Sequence, residues 1–441
     1  MTAPPRAGVG YRNTECRDSW GLPTSSPEPL ALLTQELRMP RLPRIRFSLA
    51  LLVAALGCRE DAESPSAPVP APALVTSATP ALAFYQMSAG NDHTCGVTTD
   101  NRAFCWGFVG LSGPIALGDG SSKGSPTPVA VVGGLQFRQV SAGYYSTCGV
   151  TTDYRAYCWG DNGRGELGDG TTTDRLRPVA VAGGHHFRQV DVSFQHTCGV
   201  SYPDHGAYCW GDNAEGQLGD GSRTIRLTPV AVTGTLAFRQ VTAGYNHTCG
   251  VTTDNRAFCW GNNRVGQIGD STTVFRRVKP TLVARQHQYR QVDAGRDYNC
   301  AVTTDDRAFC WGEGRYGQIG NGKLAFYFWP RAVAGGLFFS RVSAGAFHTC
   351  GETTANRAYC WGTGGHGELG DGTYTDNQLT PVAVVGGLTF AQVSAGSFQT
   401  CGKTPASVAY CWGSNFNGEL GDGTGGVPNK SSTPVAVAGP M

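Results

Sequence analysis

The sequence predicts an all-β fold, a seven-bladed β-propeller, and three observations lead to this prediction. Seven copies of one phrase follow one another at intervals of 50 to 53 residues. Each copy has three short β-rich stretches, such as "FRQVSAG", "TCGVTT" and "RAYCWG", and a Gly-rich loop before a fourth, "PVAV". No long window has the periodicity of an amphipathic helix. Four-stranded units repeated at this interval are typical of a propeller, whose radial repetition protects the strand edges.

A pair of cysteines is the most regular feature of each copy. Fourteen of the 16 cysteines belong to these pairs, and the other two, Cys16 and Cys58, precede the repeats. The pairs are Cys95 and Cys105, Cys148 and Cys158, Cys198 and Cys209, Cys249 and Cys259, Cys300 and Cys310, Cys350 and Cys360, and Cys401 and Cys411. Because β-rich residues stand on both sides of "TDN", each pair is predicted to lie on one hairpin.

The hairpin register explains the cysteine spacing. If 99–101 is a three-residue loop with Asn101 in the left-handed conformation that Asn tolerates, Cys95 lies directly opposite Cys105. Facing residues of an antiparallel pair are roughly 4.5–5.5 Å apart at Cα, within disulfide reach. The same register sets Phe104 against Gly96, a large residue against a small one. We therefore expect seven disulfides in an oxidising compartment. If one pair does not form a disulfide, we expect it to be the third, because its turn, "SYPDHGA", is one residue longer.

Two other interpretations of the cysteines stay open. They could be free and buried, since cysteine packs well as a small hydrophobe. They could also bind zinc, but no regular second pair of ligands lies nearby. Histidine stands two residues before the first cysteine in only four copies, at His93, His196, His247 and His348.

The N-terminal region predicts export. Residues 39–58, "MPRLPRIRFSLALLVAALGC", combine three arginines with an apolar stretch, 47–56, that is too short to span a bilayer. Its end, "AALGC", resembles the lipobox of bacterial lipoproteins, which implies lipid attachment at Cys58; ordinary signal cleavage near the same point is the alternative. Residues 1–38 fit no targeting pattern, and we expect translation to start at Met39. Residues 59–83 are rich in Pro, Ala and Ser, as is typical of a flexible tether.

Charge excludes one class of partner. Residues 59–441 contain 28 Lys or Arg and 29 Asp or Glu, without a basic run. The exported part is therefore nearly neutral, and nucleic acid is not an expected partner.

The repeated phrases "AG…HT", "AFCWG" or "AYCWG", and "GELGDG" or "GQLGDG" resemble the repeats of the family of the regulator of chromosome condensation, RCC1. The resemblance covers 84–440, essentially the whole exported body, and implies a seven-bladed propeller. It also implies a ring closed by mixing N- and C-terminal strands in one blade. We therefore expect Val435–Val437 to pair with the first blade.

The repeated polar and aromatic residues are interpreted as scaffold. One tryptophan recurs in every copy, which favours packing between blades: Trp106, Trp159, Trp210, Trp260, Trp311, Trp361 and Trp412. The Asp of "LGDG" fits a turn better than a calcium loop, because no array of oxygen ligands follows it. No nucleophile, base and orienting acid stand out from the repeats. We expect no enzyme, no metal site and no cofactor.

One departure from the repeat predicts a contact site. The fifth copy has Phe326, Tyr327, Phe328 and Trp329 where the second has Asp174, Arg175, Leu176 and Arg177. Four consecutive aromatic residues in a propeller loop form a candidate patch for a partner, since Trp and Tyr dominate binding hot spots. Packing against a neighbouring blade is the alternative.

The leading hypothesis is an exported, membrane-anchored binding scaffold, a monomer that presents propeller loops to a protein or another extracellular ligand. The family resemblance implies two alternatives, guanine-nucleotide exchange on a small GTPase and enzyme inhibition by a secreted propeller. Exchange factors of the family use an extra wedge-like hairpin, whereas the spacing here never exceeds 53 residues.

Overall fold

The computed structural model describes residues 82–108, 116–285 and 287–440, and every regular element in these ranges is a β-strand. The 28 strands form seven antiparallel sheets of four, which are the blades of a ring. The predicted all-β, seven-bladed propeller is thereby confirmed. The predicted segments 1–38 and 39–58, with Cys58, and the tether 59–83 apart from its last two residues lie outside the described ranges.

Each blade uses four consecutive strands, ordered from the ring axis outwards. The innermost strands are β1 Phe84–Ala89, β5 Phe137–Ala142, β9 Phe187–Val192, β13 Phe238–Ala243, β17 Tyr289–Ala294, β21 Phe339–Ala344 and β25 Gln392–Ala395. The second strands are β2 His93–Thr98, β6 Ser146–Thr151, β10 His196–Ser201, β14 His247–Thr252, β18 Tyr298–Thr303, β22 His348–Thr353 and β26 Gln399–Lys403. The third strands are β3 Ala103–Gly107, β7 Ala156–Gly160, β11 Ala207–Gly211, β15 Ala257–Asn262, β19 Ala308–Gly312, β23 Ala358–Gly362 and β27 Ala409–Ser414. The outer strands are β4 Ser125–Ala130, β8 Arg175–Ala180, β12 Arg226–Ala231, β16 Arg276–Leu282, β20 Tyr327–Ala332, β24 Gln378–Ala383 and β28 Lys430–Ala436.

The hairpin register is the predicted one. Cys95 faces Cys105 and Gly96 faces Phe104, and Asn101 has a left-handed φ of 64°. All seven predicted disulfides are present, with Cα atoms 4.0–4.1 Å apart. The third pair is not an exception, because its turn takes up the extra residue and leaves Cys198 opposite Cys209.

The predicted closure of the ring is wrong. Strand β28 pairs with β27 in its own blade, with Val435 opposite Cys411, and blade 1 consists of β1 to β4 alone. Other contacts join blade 7 to blade 1 and close the ring. Val435 and Val437 pack against the cluster of Phe84 and Trp106, and the backbone N–H of Phe84 donates to the carbonyl oxygen of Ser407 at 2.8 Å. Because each of the seven blades takes four consecutive strands of the 28, no strand is left over to pair across the two ends of the chain.

Tryptophans join each blade to the one before it. The indole of Trp210 is fully buried and donates to the carbonyl oxygen of Glu166 in the preceding blade at 2.9 Å. A Cβ on Gly168, which has a φ of 69°, would lie 2.6 Å from the same indole nitrogen. All seven tryptophans make the equivalent bond at 2.8–3.1 Å, so the interpretation as inter-blade core is confirmed.

Glutamines form a second link, here called the glutamine bridge. The Gln139 amide donates to the carbonyl oxygen of Val190 at 2.6 Å and accepts from its backbone N–H at 3.0 Å, so it binds blade 3 like an added strand. Six blades bind the next blade in this way, through Gln86, Gln139, Gln189, Gln240, Gln291 and Gln392. Blade 6 has Arg341 at this position.

Candidate interaction surface

The antiparallel strands divide the turns between two faces of the ring. The turn between the first and second strands and the long loop between the third and outer strands lie at one end, here called the loop face. The three-residue turns between the second and third strands and the connections to the next blade lie at the other end, here called the turn face. The loop face contains the longest irregular segments and the residues that vary most between copies, such as 90–92 and 144–145.

Aromatic side chains from five blades surround the ring axis on the loop face. This set, here called the aromatic arc, comprises Tyr144, Tyr145, Phe194, Tyr245, Phe347 and Phe398. Phe194 and Tyr245 stack with ring centroids 4.1 Å apart, and Phe347 lies 5.7 Å from Phe398. The Arg296 guanidinium joins the two halves, 5.3 Å from the Tyr245 ring and 5.2 Å from the Phe347 ring. The arc is therefore continuous from blade 2 to blade 7.

Tyr144 lies closest to the axis. Its ring contacts those of Phe194 and Tyr245 at 5.3 and 5.5 Å, and its hydroxyl interacts with Ser397 of blade 7. Burial raises the pKa of Tyr144 to about 12, so the hydroxyl stays neutral near pH 7. Tyr145, its neighbour, is 40% exposed. The arc thus has a half-buried centre and an exposed margin.

The turns that present the arc form a rigid support. In six blades a backbone N–H of this turn donates to a carbonyl of the next blade's turn, as Tyr144 does to Ser193 at 3.1 Å and Tyr245 to Arg296 at 3.2 Å. A support that is already ordered loses little entropy when a ligand binds.

Apolar side chains from the long loops extend this surface outwards. Phe275 is 69% exposed and Val427 is 79% exposed. Blades 3 to 7 each contribute at least one such side chain: Ile225, Val274, Phe275, Leu324, Phe326, Tyr374 and Val427. Exposed large apolar side chains close to a cluster of aromatic residues are typical of a protein-binding surface.

The structure separates the four residues of the predicted aromatic patch. Three of them begin strand β20 instead of lying in a loop. Tyr327 is 7% exposed and packs in the blade core. For Tyr327 the structure therefore has the alternative arrangement, local packing. Phe328 and Trp329 are half-buried, and Trp329 lies between the guanidiniums of Arg285 and Arg331 at 5.7 and 4.9 Å.

Phe326 alone of the four is exposed. It lies at the loop face under the Arg315 guanidinium, 4.9 Å from the ring centroid. Contact of Phe326, Phe328 and Trp329 with a partner stays a prediction. Sequence reasoning missed the aromatic arc. Its residues stand at the two variable positions that follow "AG" in most copies, and this variation is the signal that could have identified them.

The repeated titratable residues have structural partners. Asp169 of "LGDG" accepts hydrogen bonds from the backbone and hydroxyl of Thr171 at 2.9 and 2.7 Å and pairs with Arg175 at 2.8 Å. His93 shares a hydrogen bond with the Thr147 hydroxyl at 2.8 Å, and burial lowers the pKa of His93 to about 3. Among the described residues no three His, Cys, Asp or Glu side chains form a group that could hold a metal ion.

The fold and these contacts define a class, a seven-bladed propeller in which each repeat contains one internal disulfide. A family model described as "RCC1-like domain" matches residues 53–334 and 116–440, overlapping matches that cover more than half of the chain. The chain therefore belongs to the family of RCC1-like domains, and the predicted resemblance is confirmed.

Three known proteins are similar to this chain. "Ultraviolet-B receptor UVR8" of Arabidopsis thaliana is 28% identical over 241 residues, which cover 54% of either chain. "Probable E3 ubiquitin-protein ligase HERC6" of Homo sapiens is 29% identical over 109 residues, 24% of this chain and 10% of that protein. The chain thus spans about half the length of the first relative and a tenth of the second. The crystal structure of yeast RCC1 (Prp20) bound to Kap60 superposes with a TM-score of 0.67 at 19% identity, covering 81% of this chain and 85% of that chain. This likeness shows the fold alone.

Proposed function

We propose that this chain is an exported, membrane-anchored binding module whose loop face holds a protein partner. The aromatic arc is the observation that carries the proposal. It combines tyrosine, phenylalanine and an arginine around one axis, and Tyr and Arg are enriched at the centres of protein interfaces. The fold supports the same conclusion, since RCC1-like propellers bind proteins, as yeast Prp20 binds Kap60 in its crystal structure.

Export is supported by two independent features. Seven disulfides are typical of an oxidising compartment. The basic and apolar pattern of 39–58 is typical of a signal sequence, and lipid attachment at Cys58 is part of the proposal. Within the ranges that the structure describes, no helix is long and apolar enough to cross a membrane.

Nucleotide exchange on a cytosolic GTPase is not favoured, because the disulfides indicate a compartment that such a GTPase does not share. Inhibition of an extracellular enzyme would be one form of the proposed binding, and it would use the same face.

Capture of the partner from the cell surface tests the proposal. Purified wild type, Tyr145→Ala and Phe275→Ala would be compared as baits, with captured proteins quantified by mass spectrometry. Truncating an interface anchor typically costs about 2 kcal/mol, roughly thirtyfold in affinity. We expect the partner to be lost from one or both loop-face variants.

The matched control is Tyr202→Ala. Tyr202 is 46% exposed, close to the 40% of Tyr145, but it lies on the turn face. Its replacement should leave capture unchanged. Loss of capture with Tyr202→Ala and none with the loop-face variants would place the binding site on the turn face and contradict the proposal.

A further inference from the structure

The axis of the ring is a channel, and residues of the interaction surface line one of its ends. Its volume is about 690 Å³, and all seven innermost strands contribute to its wall. Small-molecule sites have volumes of about 300–1,000 Å³. At the loop face, Tyr144 and Arg296 line the channel end, and the Tyr144 hydroxyl reaches across to Ser397 of blade 7, so we expect a ligand to enter from the turn face.

Four arginines line this channel: Arg296 at the loop face, and Arg239, Arg290 and Arg341 on the innermost strands nearer the turn face. Arg290 is held in place: it pairs with Asp306 at 2.5 Å and donates to the carbonyl oxygen of Ser340 at 2.9 Å. Arg239 makes one long bond, to the carbonyl oxygen of Thr252 at 3.3 Å.

Arg341 is less constrained than Arg290, although its charge acts on the carboxyl of Glu352, which it faces across strands β21 and β22. It replaces the glutamine that bridges blades at the other six junctions, and its side chain makes no hydrogen bond or ion pair with a described residue. It is exposed on the channel side. The scaffold therefore loses one glutamine bridge at the place where an exposed guanidinium, beside the buried carboxyl of Glu352, lines the channel.

The residues next to Arg341 at the turn-face end are smaller than their equivalents in blades 2 to 5. The residue after the first aromatic of the innermost strand is arginine in blades 2 to 5 and Ser340 in blade 6. The equivalent residue of blade 7 is Ala391, directly before β25. The other two arginines of this series do not line the channel: Arg138 lies over the Tyr154 ring at 4.6 Å, and Arg188 binds His205 at 2.8 Å.

The carboxyl groups of the channel already have partners. Asp191 accepts from the backbone of Ala243 at 2.8 Å and from the Ser141 hydroxyl at 2.7 Å. Asp293 accepts from the backbone of Ala344 at 2.8 Å. Burial raises the pKa of Asp293 to about 7, which weakens its negative charge. Because Asp306 pairs with Arg290, the excess of positive charge near the turn face comes mainly from Arg239 and Arg341.

We propose that the channel binds an oxyanion, the phosphate or carboxylate group of a small molecule, through Arg239, Arg290 and Arg341. Guanidinium groups match the planar, two-oxygen geometry of both groups. This site is separate from the interaction surface, and it does not depend on a protein partner.

Calorimetric titration of the full exported chain tests the proposal, with inorganic phosphate and citrate as separate probes at low ionic strength. Arg341→Gln removes the exposed guanidinium and introduces the residue of the other six junctions, so the fold should be at least as stable. We expect binding of one or both probes to wild type and a loss of about tenfold or more in affinity for Arg341→Gln. Binding of phosphate alone or citrate alone identifies which oxyanion the site prefers.

Arg138→Gln is the matched control, because it removes the same charge outside the channel. It should bind as the wild type does. The proposal is overturned if neither probe binds at millimolar concentration, or if the two variants weaken binding equally, which would indicate nonspecific attraction by net charge.

Discussion

Glu352 lies between blades 6 and 7 at a position where the first five blades have valine. Its side chain is 1% exposed and faces the cluster of Phe390 and Val393. One carboxylate oxygen accepts a long bond from the backbone of Val393 at 3.3 Å, and the other has no partner. Burial raises the pKa of Glu352 from 4.5 to about 7, although Arg341 acts against this rise. We predict that Glu352→Val stabilises the ring, and more so at high pH.

The pKa shift sets the size of the effect. Between pH 4.5 and 7 the folded protein keeps a proton that the unfolded chain has released, so the free energy of unfolding falls as pH rises. At 1.36 kcal/mol per pH unit, the carboxylate costs on the order of 3 kcal/mol at pH 8 and about 1 kcal/mol at pH 5. For a ring of this size, Glu352→Val should raise the melting temperature by roughly 3–6 °C at pH 8 and clearly less at pH 5.

Melting curves followed by tryptophan fluorescence at both pH values measure the effect, because Trp412 packs in the same cluster. Val302→Glu is the reciprocal control, since it places the same carboxyl at the equivalent buried position of blade 5. It should lower the melting temperature more at pH 8 than at pH 5. Equal effects at both pH values, for either variant, would refute the reasoning from burial.

Further predictions concern packing, covalent links and export. Trp260→Phe removes the bond to the carbonyl oxygen of Gln217 and should lower the free energy of unfolding by about 1–3 kcal/mol, measured by chemical denaturation. Tyr327→Ala truncates a core residue and should lower the melting temperature, whereas Phe326→Ala should leave it unchanged; the reverse would contradict the assignment of Tyr327 to the core. Peptide mapping without reduction should recover the seven pairs within blades, and free thiols would exclude them. A fatty-acid analogue should label the wild type but not Cys58→Ala, and an unlabelled cytoplasmic wild type would exclude export.

Local features of the blade could be predicted from the sequence because they depend on short-range geometry. The spacing of Cys95 and Cys105 and the tolerance of Asn101 for positive φ determine one hairpin register, and the structure has it. The repeat length determines the number of strands in a blade. Closure of the ring could not be predicted in this way, because the order of strands in the last blade depends on where the chain enters the first.

The candidate site was harder to predict, since its members are far apart in the chain. Tyr144 and Tyr245 are about a hundred residues apart, and only the ring brings their centroids to 5.5 Å. Four consecutive aromatic residues predict a contact patch at 326–329, but in strand β20 the side chain of Tyr327 packs in the blade core. Variation between copies at the turn after "AG" was the better signal, because the scaffold does not require these side chains.

Photo-crosslinking from defined positions tests the assignment of the loop face as the binding surface most directly. A photoreactive phenylalanine derivative would replace Tyr145 on the loop face or Tyr202 on the turn face, which are 40% and 46% exposed. We predict a crosslinked cell-surface protein from position 145 alone, and its yield should fall when unlabelled wild type is added in excess. A competed crosslink from position 202, with none from 145, would contradict the account.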